Sequence, residues 1–489
     1  MIRRLALVSC LVLAAGAAMA AQPQFWRIEG ARDFLDGTTE GLSVGSEGRV
    51  RLAPVARPLY DPEVPFVWCL ARDAKGMLYA GSGNDGKVFK IEGGKGSLFF
   101  DAAELEVHAL AVGPDGKLYV GTSPDGKVYA VDAAGKAQPF YDPTDKYVWA
   151  LAFDHAGNLL VATGGDGKIH RVDRQGKAQI LFTSAETHIT ALTLDGTGNI
   201  YAGSAPSGIL YRIDSAGKVF VLHDSPYREV KALDLGKDGS LYAAVVDGKE
   251  REDIRAPTPL QPAPPGATPT AEVTVTENFA VIAPQAAAPT PIATPRPPES
   301  LRTGAPKGAV LRVLPSGEVD MLWSSSDETP HSLVVTSDGV LVGTGNKGKI
   351  YRIHNDRTWA MLSSFTADQV TALLRGAADS VAVATSNPGK VHLLEPTAGA
   401  RGSFVSKVKD TDTVSAWGQI RWEASAPAGG QVEVQTRSGN TASPDSTWSD
   451  WSPPHVRGSG EPIASERARF LQVKATLVGK DGASPILDS

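Results

Sequence analysis

A set of aromatic, histidine, glutamate and lysine side chains recurs at matching positions of seven short apolar segments, such as Val107-His108-Ala109-Leu110. The positions two residues before each leucine are Trp68, His108, Trp149, Thr190, Lys231, His331 and Thr371. The positions two residues earlier still are Phe66, Glu106, Tyr147, His188, Glu229, Thr329 and Gln369. Side chains of these types bind ligands by stacking and hydrogen bonding, or exchange protons with a substrate.

Two kinds of chemistry are open to the titratable members of this set. The acid–base candidates are His108, His188, His331, Glu106 and Glu229. Histidine and glutamate also ligate divalent metals. Glu229 and Lys231, two residues apart, are equally consistent with a simple ion pair. No motif points to a particular cofactor or metal, so we predict neither, and we assign no catalytic residue.

The segments that carry these residues belong to an internal repeat. Successive repeat leucines, from Leu70 to Leu373, are 40, 41, 41, 41, 100 and 40 residues apart. The long interval is one repeat interrupted by about 59 extra residues. Within a repeat, Gly-containing turns such as 113–117 separate short apolar runs such as 118–122, and no long helical period is present.

Four short antiparallel strands repeated about every 40 residues predict the blades of an all-β propeller. The seven repeats predict seven blades. Residues 42–52 and 57–61 resemble the last three strands of a further repeat, which leaves an eighth blade open. We favour ring closure, in which these N-terminal strands complete the final blade.

The repeat unit D-G-x-L-Y-x-G-T…G-K-V-Y-x-x-D, seen at 115–132, resembles the broad group of secreted bacterial propellers that includes NHL-repeat, gluconolactonase-like and streptogramin-lyase-like proteins. The resemblance covers about residues 40–405. It implies that the first strand of each blade lines a central channel and that the aromatic and titratable set surrounds its mouth. Lactonases of this group use Glu, Asn and Asp on the channel axis. Neither set of positions, two or four residues before the repeat leucines, contains Asn. Streptogramin-lyase-like enzymes use a histidine and a glutamate near the mouth, which is closer to this set.

These observations support an exported, non-catalytic binding or scaffold propeller that holds a ligand or protein partner at the channel mouth. The predicted ligand-binding residues are Trp68, His108, Trp149, His188, Lys231, His331, Glu106, Tyr147 and Glu229. A propeller hydrolase or lyase with its active site at the mouth is the alternative function. The competing interpretation of the residues is that a wet channel mouth tolerates any side chain.

The partner classes are narrowed by charge. The chain has a formal net charge of −6, which argues against nucleic acid and leaves a protein partner or a glycan. Residues 1–20 have the charged start, apolar stretch and small-residue cleavage site of a signal peptide, so we predict a periplasmic or secreted protein. Cys69 is the only cysteine after residue 20, so an internal disulfide is excluded, and no later apolar run is long enough to span a bilayer.

The chain divides into a propeller over 21–403 and a small β-sandwich over 404–489. A Pro/Ala/Thr-rich insertion at 250–306 interrupts the fifth repeat, and twelve prolines between 255 and 299 predict disorder. It is either a tolerated loop or a flexible arm for a partner.

The C-terminal segment contains Trp448-Ser449-Asp450-Trp451-Ser452, which resembles the W-S-x-W-S box of fibronectin type III-like domains. That resemblance implies tryptophans stacked with arginines, for which Arg421 and Arg437 are candidates. The two tryptophans form either a packing ladder or a platform for a glycan.

Overall fold

The computed structural model describes residues 24–248, 306–427, 429–480 and 482–489. The predicted signal peptide, and all but the last residue of the predicted disordered insertion, lie outside these ranges. The described residues are almost entirely β-strand, with a six-residue α-helix at Gly30–Leu35 and a short 3-10 helix at Ala377–Asp379. Among them, no helix has the length and apolar character needed to cross a membrane.

Each repeat forms an antiparallel sheet in which consecutive strands pair, as the Asp-Gly turns predict. The first strands are Pro54–Arg72, Glu106–Val112, Tyr147–Phe153, His188–Leu194, Tyr227–Leu235, Pro330–Thr336 and Gln369–Arg375. The second strands are Leu78–Gly83, Leu118–Ser123, Leu159–Gly164, Ile200–Ala205, Leu241–Gly248, Gly339–Thr344 and the start of Val381–Ala398.

The outer half of each sheet follows the same order. The third strands are Lys87–Glu92, Val128–Val131, Lys168–Val172, Ile209–Ile213, Gly308–Val313 and Lys349–Ile353. The fourth strands are Lys95–Asp101, Ala137–Tyr141, Ala178–Thr183, Val219–Asp224, Val319–Ser325 and Trp359–Ser364. The first strand of every repeat contacts the first strand of the next, and the seventh contacts the first. This closed series of contacts agrees with a propeller, and the count of seven blades stays a prediction.

The N-terminal residues divide between two sheets. The long strand Pro54–Arg72 pairs with Val381–Ala398 through its first half and opens the first repeat with its second half. Ring closure by residues 57–61 therefore agrees with the prediction. Residues 42–52 behave differently, because strands Leu42–Gly45 and Val50–Leu52 extend the sixth sheet beyond Trp359–Ser364. The prediction that they complete the final blade is wrong.

The core lies between neighbouring sheets. The apolar residue that precedes each variable position is fully buried in six first strands, namely Val67, Val107, Val148, Ile189, Val230 and Val370. Burying one such side chain contributes about 1.5–3 kcal/mol. The fixed apolar position is therefore a packing position, and the variable position next to it is free to differ between repeats.

The C-terminal residues form a five-stranded sheet that also takes in N-terminal strand Thr38–Glu40. Its other strands are Arg401–Val405, Lys409–Ser415, Gln431–Gly439 and Ala468–Val478. Gln419–Ile420 pairs with Glu461–Pro462, and Ala424–Ser425 pairs with Ile486–Leu487, which reaches the extended sixth sheet. The fibronectin-like sandwich and the boundary at residues 403/404 stay predictions.

Two tryptophans in the segment that follows strand Gln431–Gly439 enclose one arginine of that strand. The guanidinium carbon of Arg437 lies 5.6 Å from the ring centre of Trp448 and 4.5 Å from that of Trp451. Gln472 Oε1 accepts hydrogen bonds of 2.9 and 2.6 Å from the same guanidinium. Arg421 instead donates to Gln419 Oε1, so only one of the two predicted arginines takes part. The arrangement agrees with the packing interpretation.

Candidate functional site

A β-bulge presents each variable residue of the first strands. In the first repeat Val67 pairs with Ser82 and Cys69 pairs with Gly81, which leaves Trp68 as the extra residue. The same register shift occurs in all seven first strands. A bulge redirects a side chain without ending the strand. The variable positions can be predicted from the sequence, whereas the bulge that orients them cannot.

The turns between second and third strands lie beside the start of the next first strand. The backbone N–H of Gly86 donates to the carbonyl of Leu105 at 2.7 Å, and that of Gly126 donates to Lys146 at 3.0 Å. Gly86 has a positive φ of 61°, and an added Cβ there would overlap the carbonyl of Glu104. These bonds fix the backbone immediately before Glu106 and before Tyr147.

A buried carboxylate, Asp145, binds the backbone before Tyr147 to the sheet of the third repeat. Asp145 accepts hydrogen bonds from Thr163 at 2.7 Å and from Lys168 at 3.2 Å, and His170 lies 3.3 Å away. Its side chain is only 4% exposed. Equivalent carboxylates precede three other first strands: Glu104, Glu186 and Glu328. These positioning residues are not among the predicted site residues, although 104, 145 and 186 are spaced by the repeat length.

Aromatic rings from the first strands of repeats one, two and three form a continuous arc. Phe66 and Trp68 stack at 5.0 Å with an interplanar angle of 7°, and Tyr147 and Trp149 stack at 5.0 Å and 12°. His108 lies between the pairs, 6.0 Å from the Trp68 ring and 4.7 Å from the Trp149 ring. All five side chains are partly exposed. We call these five residues the aromatic arc.

The two tryptophans of the aromatic arc require glycine on the neighbouring second strand. A Cβ added at Gly83 would overlap the indole nitrogen of Trp68, and one at Gly164 would overlap that of Trp149. The indoles therefore lie flat against backbone that carries no side chain. In the second repeat, where the arc residue is the smaller His108, the matching position is a serine.

Glu106 and His108 form the shortest polar contact of the site. His108 Nε2 lies 2.6 Å from Glu106 Oε2. This hydrogen bond is the main cause that holds the pKa of Glu106 below its usual range, against the opposing effect of burial. An ionised carboxylate only accepts, so His108 Nε2 carries the proton. Nδ1 of His108 has no hydrogen-bond partner among the described residues.

His188 is bonded to the aromatic arc through Trp149. The indole Nε1–H donates to His188 Nδ1 at 3.1 Å, and the two rings meet edge to face at 5.8 Å. Burial lowers the pKa of His188, while the charge of Glu229 acts in the opposite direction. His188 is therefore a neutral side chain that extends the arc to the fourth repeat.

The fifth and sixth repeats contribute charge and a neutral histidine. Lys231 Nζ lies 2.7 Å from Glu229 Oε1, so the ion pair that was one of two interpretations is present. Burial lowers the pKa of His331 to about 4, with a smaller effect from Lys231, and Thr329 Oγ1 lies 3.3 Å from its Nε2. All nine predicted ligand-binding residues therefore lie in one series of neighbouring first strands.

Two variable positions face the backbone instead. Thr190 Oγ1 donates to the carbonyl of Val230 at 2.6 Å, and Thr371 Oγ1 donates to that of Val67. The Cys69 thiol also donates to a neighbouring first strand, at Val107, and burial raises its pKa to about 12. These side chains join blades and contribute no group to a ligand.

The candidate site offers aromatic faces, the Glu106 carboxylate bonded to His108, the Glu229–Lys231 ion pair and three histidines. Across the described ranges, no three His, Cys, Asp or Glu side chains are close enough together to hold a metal ion. A general base held by a carboxylate is present in His108, and a fixed hydrogen-bond donor is present in His188.

Comparison with known structures shows which fold the chain has. The chain resembles virginiamycin B lyase from Staphylococcus aureus, solved as a catalytically inactive variant with quinupristin, with a TM-score of 0.52 and 11% identity over 70% of this chain and 99% of that one. A streptogramin B lyase structure matches with a TM-score of 0.50 and 12% identity, over 70% and 97% of the two chains. The chain is a β-propeller.

A protein-family model and one further solved structure also match the chain. The family model described as WD domain, G-beta repeat matches residues 137–171 of this propeller. The extracellular domain of BT4673 from B. thetaiotaomicron matches with a TM-score of 0.48 and 16% identity, over 78% of this chain and 45% of that one. Comparison with curated protein sequences gives no match.

Proposed function

We propose that this propeller is an exported binding protein that holds its ligand against the aromatic arc at the channel mouth. The observation that carries the proposal is the pair of stacked aromatic couples, Phe66 with Trp68 and Tyr147 with Trp149, on either side of His108. Partly exposed aromatic rings beside convergent polar groups are typical of ligand sites. Packing alone needs neither exposure nor different side chains in each repeat.

The test compares two double variants on arrays of soluble peptides and oligosaccharides. Trp68→Ala with Trp149→Ala removes both indoles of the arc. Ile180→Ala with Val221→Ala is the matched control, because these apolar side chains are 58% and 60% exposed on fourth strands. We expect the first variant to lose at least tenfold in affinity and the control to bind as the wild type does. Equal binding by all three proteins contradicts the proposal.

A lyase or hydrolase is the second candidate, and the Glu106–His108 contact favours it. The carboxylate orients the imidazole with the proton on Nε2, which leaves Nδ1 to accept a proton from a substrate or from water. The fold that this chain shares with streptogramin lyases is compatible with that role. Turnover of a lactone, ester or depsipeptide that is lost in both Glu106→Gln and His108→Asn supports this candidate. Absence of turnover in the wild type leaves the binding function ahead.

A further inference from the structure

The proton on the His188 ring has a defined position. A tryptophan N–H is a donor and never an acceptor, so His188 Nδ1, at 3.1 Å from Trp149 Nε1, must accept. The neutral imidazole therefore carries its proton on Nε2. No described residue accepts a hydrogen bond from Nε2, and this atom is not enclosed by protein. His188 thus presents an N–H donor, fixed in position, that no described residue uses.

The surroundings of His188 maintain this state. Burial lowers its pKa, and the aromatic ring of Tyr147 packs edge to face at 5.9 Å. The charged group facing it is Glu229, whose own carboxylate is paired with Lys231 at 2.7 Å. A second proton would place Nδ1–H against the indole N–H and break the hydrogen bond to Trp149.

An acceptor lies on the other side of Trp149. Glu106 uses one oxygen, Oε2, for His108, and its other oxygen has no partner among the described residues. The N–H of His108 occupies one oxygen of the ionised Glu106 carboxylate, and the Glu229–Lys231 pair is internally neutral. The mouth therefore combines a donor, an acceptor and aromatic faces.

We propose, on the basis of the binding function above, that the ligand is a saccharide whose ring packs on the aromatic arc between Glu106 and His188. A sugar ring has an apolar C–H face, and its hydroxyls both donate and accept hydrogen bonds. One hydroxyl donates to the free oxygen of Glu106, and another accepts from His188 Nε2–H. A purely apolar ligand would instead bury both polar groups without partners, which costs free energy.

The test replaces His188 in two ways. His188→Gln keeps an amide oxygen to accept from Trp149 and an NH₂ group to donate to the ligand. His188→Leu keeps an apolar side chain of moderate size and removes the donor. The probes are printed neutral and uronic-acid-containing oligosaccharides, and the best-bound one is then titrated calorimetrically. We expect the Gln variant to bind within about threefold of the wild type and the Leu variant to bind at least tenfold more weakly.

The outcomes separate this inference from the proposed function. Unchanged affinity in His188→Leu overturns the role of the donor, provided that its melting temperature matches that of the Gln variant. Binding of a peptide probe that depends on Trp68 and Trp149, together with no binding of any saccharide, overturns the ligand class and leaves the proposed function intact. Failure of every probe to depend on the two tryptophans overturns both.

Discussion

Trp149 and His188 are joined by a 3.1 Å hydrogen bond between the first strands of neighbouring repeats, and in the neutral imidazole this bond fixes the proton on Nε2. It links the aromatic stacking of one strand to the hydrogen-bonding capacity of the next. A change at either residue is therefore expected to alter the other.

Trp149→Phe keeps an aromatic ring and removes the indole N–H. A hydrogen bond accepted by Nδ1 favours the neutral form of His188, so we expect its loss to raise the pKa of His188 above the wild-type value. The measurement is an NMR titration of the His188 ring C–H signals. Trp68→Phe is the control, because Trp68 Nε1 has no partner among the described residues. Equal His188 titration in both variants contradicts the bond.

Glu106 gives stability a defined dependence on pH. Its pKa in the folded protein is below the ordinary value of 4.5, so the folded state binds fewer protons there than the unfolded state. The stabilisation is complete above about pH 4.5 and is lost as the pH falls toward the folded-state pKa. Urea unfolding of the wild type and Glu106→Gln should give a free-energy difference that shrinks from pH 6 to pH 3. A difference that is constant over this range would mean that the carboxylate gains nothing from His108.

Gly164→Ala tests whether the backbone leaves room for the site. The new Cβ would overlap both Trp149 Nε1 and His188 Nδ1, so either ring must move. We expect a loss of about 1–3 kcal/mol in the free energy of unfolding and loss of ligand binding. Gly196→Ala is the matched control, since nothing lies within 4 Å of its Cβ position. Wild-type behaviour of Gly164→Ala would show that the packing is looser than described.

Asp145→Ala tests the buried clamp before the third repeat. Removing this carboxylate takes a buried partner from Thr163 and His170, while Lys168 keeps Asp166, and we expect a loss of about 1–3 kcal/mol in unfolding free energy. Asp166 supplies the other carboxylate bonded to Lys168, and its side chain is 68% exposed. Asp166→Ala should therefore leave the free energy of unfolding nearly unchanged. Chemical denaturation of both variants distinguishes the two positions. Equal effects would mean that burial of Asp145 carries no special weight.

The repeat architecture was predictable from sequence because each strand carries its own turn and burial pattern. Regular leucine spacing located the first strands, and the variable position beside each buried valine or isoleucine marked the candidate site. Residues 42–52 were assigned to the wrong sheet, since strand pairing between distant segments leaves no local signal. In the C-terminal segment the tryptophan motif predicted a stacked arginine, but only the structure distinguishes Arg437 from Arg421.

The chemistry of the site was predictable only in part. Residue types gave the aromatic and titratable set, whereas the position of each proton depends on contacts between strands about 40 residues apart. His108 and His188 are the same residue type in the predicted set, yet Nδ1 has no partner among the described residues in His108 and accepts from Trp149 in His188. The buried carboxylates, such as Asp145, were overlooked because an acidic residue before a strand is also typical of an exposed turn.

Hydrogen–deuterium exchange with and without the best-bound array probe tests most directly whether the mouth is the binding site. If the mouth is the binding site, the probe slows exchange in the peptides that contain the aromatic arc and His188, namely 66–69, 106–109, 147–150 and 188–191. Exchange that slows only in the fourth strands, or only in the C-terminal sheet at 431–478, would contradict binding at the mouth.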